Sequence, residues 1–142
     1  MEVKSLEVSR FRNLKEFRME AGPGPNVVCG NNAQGKTNLL EAIWLFSGSR
    51  SFRGSRDRDF LQKEGEGIAA LALGFSAEGR EQEAVLRFGS GGAGGTGEKR
   101  HVELNGVKKD TPAAFSGKFC AVLFSPDHMS LVKSGPEGRR QM

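Results

Sequence analysis

Residues Gly30-Asn31-Asn32-Ala33-Gln34-Gly35-Lys36-Thr37 set two glycines five positions apart and follow the second with a lysine and a threonine. Each fixed position suits the binding of a polyanion. Consecutive backbone N–H groups can surround phosphate oxygens only where no side chain blocks the approach, which is the use of Gly30 and Gly35. A helix that starts after the loop adds free N–H groups and the positive end of its dipole. Lys36 carries a full charge to the β- and γ-phosphates, and Thr37 offers a hydroxyl to the Mg²⁺ that bridges them. The pattern predicts ATP with Mg²⁺, held by Gly30, Asn31, Asn32, Ala33, Gln34, Gly35, Lys36, Thr37 and Asn38, with Thr37 on the metal. The competing reading is a glycine-rich turn that happens to precede a helix.

Such a loop needs a strand before it and a helix after it. Asn26-Val27-Val28-Cys29 is a short apolar run with β-branched residues and predicts a buried strand. Asn38 to Phe46 predicts the helix. Leu39, Ala42, Ile43 and Phe46 fall on one face, and Leu40 and Trp44 widen it, so the helix should pack broadly against a sheet. Ser47-Gly48-Ser49 ends it.

Around this unit the sequence predicts strands over residues 3–10 and 14–20, although Val3, Leu6 and Val8 fit a period of two only partly. Gly22-Pro23-Gly24-Pro25 is a turn. Residues 50–60 are basic and expected to be irregular. Ile68 to Phe75 and Ala84 to Phe88 read as strands joined around Glu78-Gly79-Arg80. Residues 90–97 form a glycine-rich loop. Residues 100–109 read as a hairpin turning at Asn105-Gly106. Lys118 to Phe124 predicts another apolar strand, Ser125-Pro126-Asp127 a helix start, and Gly135-Pro136-Glu137 a second one. The chain stops soon after, at Arg139-Arg140-Gln141-Met142, which suggests a fragment boundary.

Composition bounds the partners less sharply. With 142 residues, 37% hydrophobic and 27% charged, the chain is expected to be one globular domain with a modest core. No apolar run reaches membrane-spanning or signal-peptide type, so no membrane or secretory role is expected. Cys29 and Cys120 lie in apolar stretches and read as buried, reduced thiols, consistent with a cytoplasmic location. The net charge of +4 permits an anionic partner without demanding one. His101 and His128 lack any partner pattern for metal or nucleophile chemistry and are expected at the surface.

Four stretches carry a resemblance to the RecF family of bacterial recombination mediators, which is related to the SMC and Rad50 heads among ABC-type ATPases. They are Phe11-Arg12-Asn13-Leu14; Gly30 to Thr37 with Asn38-Leu39-Leu40-Glu41-Ala42-Ile43; Gly48-Ser49-Arg50-Ser51-Phe52-Arg53; and Leu123-Phe124-Ser125-Pro126-Asp127 running on to Arg139-Arg140. The phosphate loop is generic to many NTPases, and the third and fourth stretches narrow the likeness. The resemblance implies an α/β fold, a P-loop NTPase in the form of the N-terminal lobe of an ABC-type ATPase head, with an antiparallel β-subdomain over about residues 65–110. It makes Arg12 and Asn13 candidates for the adenosine or α-phosphate; the plain alternative is an exposed hairpin turn. Arg50, Arg53, Arg56 and Arg58 become candidates for DNA phosphates or a partner subunit, against a solvated loop partly neutralised by Asp57 and Asp59.

The resemblance also implies an ATP-dependent homodimer of the complete protein, binding to duplex, single-stranded, gapped or junction DNA, and RecR, with RecO beside it, as partners in RecA loading. Residues 121–125 lack the Gln that many such heads use near Mg²⁺ and the attacking water. No catalytic residue is assigned within this chain, since a Walker B carboxylate and signature motif are not in the sequence, and hydrolysis by it alone should be negligible. The alternatives are the head of another SMC- or Rad50-like ATPase, an ABC transporter subunit, and a DNA-binding module with an idle phosphate loop.

Overall fold

The computed structural model describes residues 1–62, 67–90 and 98–124. The helix starts expected near 125 and 135, His128, and the loop of residues 91–97 lie outside these. Among the described residues six strands form one sheet: β1 (Glu2–Phe11), β2 (Leu14–Glu20), β3 (Ala69–Ala77), β4 (Arg80–Ser90), β5 (Glu98–Leu104) and β6 (Val107–Lys109), in the order β2-β1-β3-β4-β5-β6. Every ladder among them is antiparallel. The first hairpin and the β-subdomain are therefore one continuous sheet, joined where β1 pairs with β3.

The turns follow from residues that tolerate positive φ. Glu78 and Gly79 take φ 54° and 73° between β3 and β4, and Asn105 and Gly106 take 52° and 74° between β5 and β6. Both pairs give the twist that suits two-residue hairpins. The imperfect period of β1 has a local cause. Val3 pairs with Phe75 and Ser5 with Gly74, so one extra residue of β1 bulges between them. The bulge places Val3 on the same side as Leu6 and Val8.

One face of the sheet is the core face. Leu6, Val8, Leu71, Leu73, Phe75, Leu86, Phe88 and Val102 are buried on it. Helix α1 (Lys36–Leu45) covers it with Leu39, Ala42 and Leu45, and Phe46 follows directly. A single 3-10 turn over Asp57–Phe60 inserts Phe60 between Phe11 and Phe88, with ring centroids 5.2 and 5.0 Å away. A second, over Pro112–Phe115, brings Phe115 to 5.7 Å from Phe46.

Several expectations are corrected. Residues 26–29 form no strand, and Val27 is 86% exposed. Among the described residues no strand lies beside this segment, so its backbone has no ladder and its side chains no covering layer. The parallel core strand expected to carry the phosphate loop is for the same reason not seen. The stretch 118–124 is likewise not a strand: Phe119 is buried, but Val122 is fully exposed. Cys29 and Cys120 are exposed, not buried. On α1, Leu40 is exposed, and the buried face is completed by Leu45 and, unexpectedly, by the carboxylate of Glu41.

Candidate functional site

The phosphate loop lies against the tip of the first hairpin, and that contact fixes Gly35. Gly35 has φ 105°, and a Cβ there would sit 2.7 Å from a methyl of Leu14 and 2.9 Å from Oδ1 of Asn13. Conformation and space both demand glycine at this point. Gly30 takes φ 150° and Ala33 φ 64°, which curls the loop back toward the start of α1.

Inside the curl the Lys36 ammonium donates to the carbonyls of Gly30 and Asn31 at 2.6 and 2.7 Å. Asn13 donates to the Ala33 carbonyl at 3.2 Å, and Asn38 donates to Asn13 Oδ1 at 2.7 Å. Arg53 then donates to Asn38 Oδ1 at 2.7 Å. These groups enclose a cavity of about 250 Å³ lined by Asn13, Asn32, Ala33, Gly35, Lys36, Thr37, Asn38 and Arg53. The lining holds two cationic side chains and no carboxylate. Oxygen-rich anions fit such a lining because nothing in it repels them.

The sequence-derived residues divide. Asn13, Asn32, Ala33, Gly35, Lys36, Thr37 and Asn38 converge on the cavity. Gly30 and Asn31 meet it through the Lys36 contact. Arg12 does not line it. Its guanidinium turns inward, donates to both oxygens of Glu41 at 2.5 and 2.9 Å and to Ser55 Oγ, and stacks 5.3 Å over the Phe60 ring. In this arrangement Arg12 supports the site from behind the cavity. Among the four arginines grouped as DNA or partner contacts, Arg53 belongs to the phosphate cavity. Arg50 and Arg56 line a different cavity, and Arg58 lies 3.9 Å from Asp59 on the surface.

Glu41, Ser51 and Ser55 were not singled out in the sequence. Ser51 donates to Glu41 at 2.5 Å, and Arg53 lies 3.8 Å from the same carboxylate. Glu41 thus ties α1, the hairpin tip and the loop of residues 51–56 into one network behind the cavity. Glu41 and Ser51 lie within the resembling stretches 38–43 and 48–53, but a lone charge in an apolar helix ordinarily faces solvent.

Among the described residues no group of three or more His, Cys, Asp and Glu could hold a metal. Among them, too, no helix is long and apolar enough to cross a membrane.

A six-stranded antiparallel sheet, a glycine-capped helix and a cation-lined phosphate loop define an ATPase head, and comparison with known proteins agrees. The chain belongs to the AAA ATPase domain family, whose model matches residues 1–89. More narrowly, it is similar to the DNA replication and repair protein RecF. It is 38% identical over 141 residues to RecF of Symbiobacterium thermophilum, covering 99% of this chain and 36% of that protein. It is 39% identical over 140 residues to RecF of Nostoc punctiforme, with 99% and 36% covered. The chain thus spans about a third of the length of these curated relatives. Among solved structures it is similar to the recombination mediator protein RecF with ATP in the RecFOR pathway, with TM-score 0.82, 34% identity, and 99% of this chain and 36% of that one covered. The SMC head domain from Thermotoga maritima matches with TM-score 0.58 at 18% identity over 84% of this chain and 43% of that one, a likeness of fold alone. The fold is therefore that of the RecF- and SMC-type P-loop ATPase heads, carrying an antiparallel β-subdomain.

Proposed function

We propose that this chain is the ATP-binding part of a RecF-like DNA repair and recombination mediator. The observation that carries the proposal is the cavity at the phosphate loop, lined by Lys36, Arg53 and amide groups with no carboxylate. The triphosphate lies along the loop from Gly30 to Lys36. Lys36 exchanges the carbonyls of Gly30 and Asn31 for β- and γ-oxygens, a charge-assisted bond in place of a neutral one. Thr37 would offer its hydroxyl to Mg²⁺, which would neutralise charge on the phosphates. Asn13 and Asn38 fix the loop and aim Arg53 at the phosphates.

In the complete protein, ATP clamps two such heads together and organises a surface for duplex, single-stranded or gapped DNA, with RecR and RecO as partners in the cytoplasm. The likeness to RecF proteins and to the ATP-bound RecF structure of the RecFOR pathway supports this reading. The test is binding of the complete protein to single-stranded, duplex and gapped DNA with and without ATP, using Lys36→Arg as control. DNA binding that requires ATP and Lys36 is expected. Binding indifferent to both would reduce the proposal to a basic surface.

A further inference from the structure

Behind the phosphate cavity, on the other side of the Glu41 network, lies a second cavity of about 740 Å³. It is lined by Arg50, Ser51, Gly54, Ser55, Arg56, Asp57, Arg100 and Pro112. We infer that this cavity is a separate anion site, in which Arg50, Arg56, Arg100 and Ser55 take phosphodiester groups of a nucleic-acid backbone. The inference rests on the DNA-binding reading above and assigns that binding a place.

The argument begins with charge. Three arginines face one carboxylate. Asp57 is fully engaged by Arg100, which donates to its two oxygens at 2.6 and 3.0 Å. The cavity keeps a net charge of +2 from Arg50 and Arg56. Neither guanidinium has a hydrogen bond or ion pair among the described residues, although the Arg56 backbone N–H donates to Asp59 Oδ2 at 2.7 Å. Two such neighbouring charges repel each other and are relieved by an anion between them.

Geometry sharpens the point. Arg100 is fixed from two sides, by Asp57 and by the Phe88 ring 5.0 Å beneath its guanidinium, and this holds one wall rigid. Ser55 Oγ accepts a bond from Arg12, which leaves its own proton for an acceptor within the cavity. Gly54 has φ 70° and no atom within 4 Å of where a Cβ would stand, so the backbone side is open. Arginine forks, a hydroxyl and an open backbone edge are the groups that contact phosphates along a duplex. A chain of phosphates suits the size and openness of the site better than one small ion. Ser55 and Arg12 further link this cavity to Glu41, Arg53 and the nucleotide loop.

The test uses the complete protein and titrates duplex and gapped DNA over a range of salt. The variants are Arg50→Gln with Arg56→Gln, and, for equal charge loss elsewhere, Arg18→Gln with Arg80→Gln. Nucleotide affinity is measured alongside. The cavity variant should lower the slope of log K against log salt by about 2 and weaken binding by roughly ten- to a hundredfold near 0.1 M salt. Its nucleotide affinity should stay that of the parent, and the control pair should bind DNA as the parent does. Parent-like DNA binding by the cavity variant, or an equal loss in the control pair, overturns the inference and leaves the proposed function standing. A parent that binds no DNA overturns both. A cavity variant that loses affinity for inorganic phosphate or a mononucleotide while keeping DNA assigns the site to free phosphates and overturns the nucleic-acid source.

Discussion

Arg12 lies along the carboxylate of Glu41 with both oxygens engaged, in a place where Glu41 is fully buried and Arg12 is only 15% exposed. The pair joins the tip of the first hairpin to the second turn of the helix that follows the phosphate loop. Removing one partner leaves the other charged and desolvated. Glu41→Ala should therefore destabilise the fold by about 3–5 kcal/mol, and Glu41→Gln by about 1–3 kcal/mol. Urea unfolding of both variants with Arg12→Ala in a double-mutant cycle measures the coupling. A Glu41→Ala protein as stable as the parent would show that the pair holds nothing together.

Gly35 is required twice over, by its φ of 105° and by the approach of Leu14 and Asn13. Gly35→Ala should cost about 1–3 kcal/mol of stability and push the hairpin tip off the loop. Nucleotide binding should fall with it. Unfolding midpoints and nucleotide titration together read the two effects, and full retention of both would refute the contact.

Arg53 donates to Asn38 at the mouth of the phosphate cavity and is 44% exposed, so its loss should spare the fold. Arg53→Gln should weaken nucleotide binding by about ten- to a hundredfold, the worth of a hydrogen bond to a charged group. Calorimetric titration with ATP decides it. Unchanged affinity would return Arg53 to the surface role expected from sequence.

Phe60 is the one side chain by which the loop of residues 50–60 enters the core, between Phe11 and Phe88. Phe60→Ala should cost about 3–5 kcal/mol. It should also loosen the loop that carries Arg53, seen as faster amide exchange over residues 51–60.

What could be read from sequence was local. The hairpins turning at Glu78-Gly79 and Asn105-Gly106 were legible because each turn carries a glycine that accepts positive φ. The phosphate loop was legible because its spacing is set by backbone chemistry. The helix and its face of Leu39, Ala42 and Phe46 were placed correctly, but Glu41 was missed, because it is buried by partners at positions 12 and 51, which no period along the helix reveals. The bulge in β1 hid the common face of Val3 and Leu6 for a similar reason, since it exists only in the pairing with β3. Val27 and Val28 suggested a strand, but a strand is a property of a pair, and no partner stands beside them among the described residues. The four arginines of residues 50–58 looked alike in sequence, and only the fold separates Arg53 from Arg50 and Arg56.

The central claim is that the loop from Gly30 to Thr37 holds the phosphates of ATP, and Lys36→Ala tests it most directly. Mg-ATP binding by titration calorimetry should fall by about a hundredfold or more, since a charge-assisted contact to the phosphates is lost. The unfolding midpoint should stay near the parent's, because Lys36 contacts only its own loop. A folded Lys36→Ala protein that binds Mg-ATP as tightly as the parent would contradict the account.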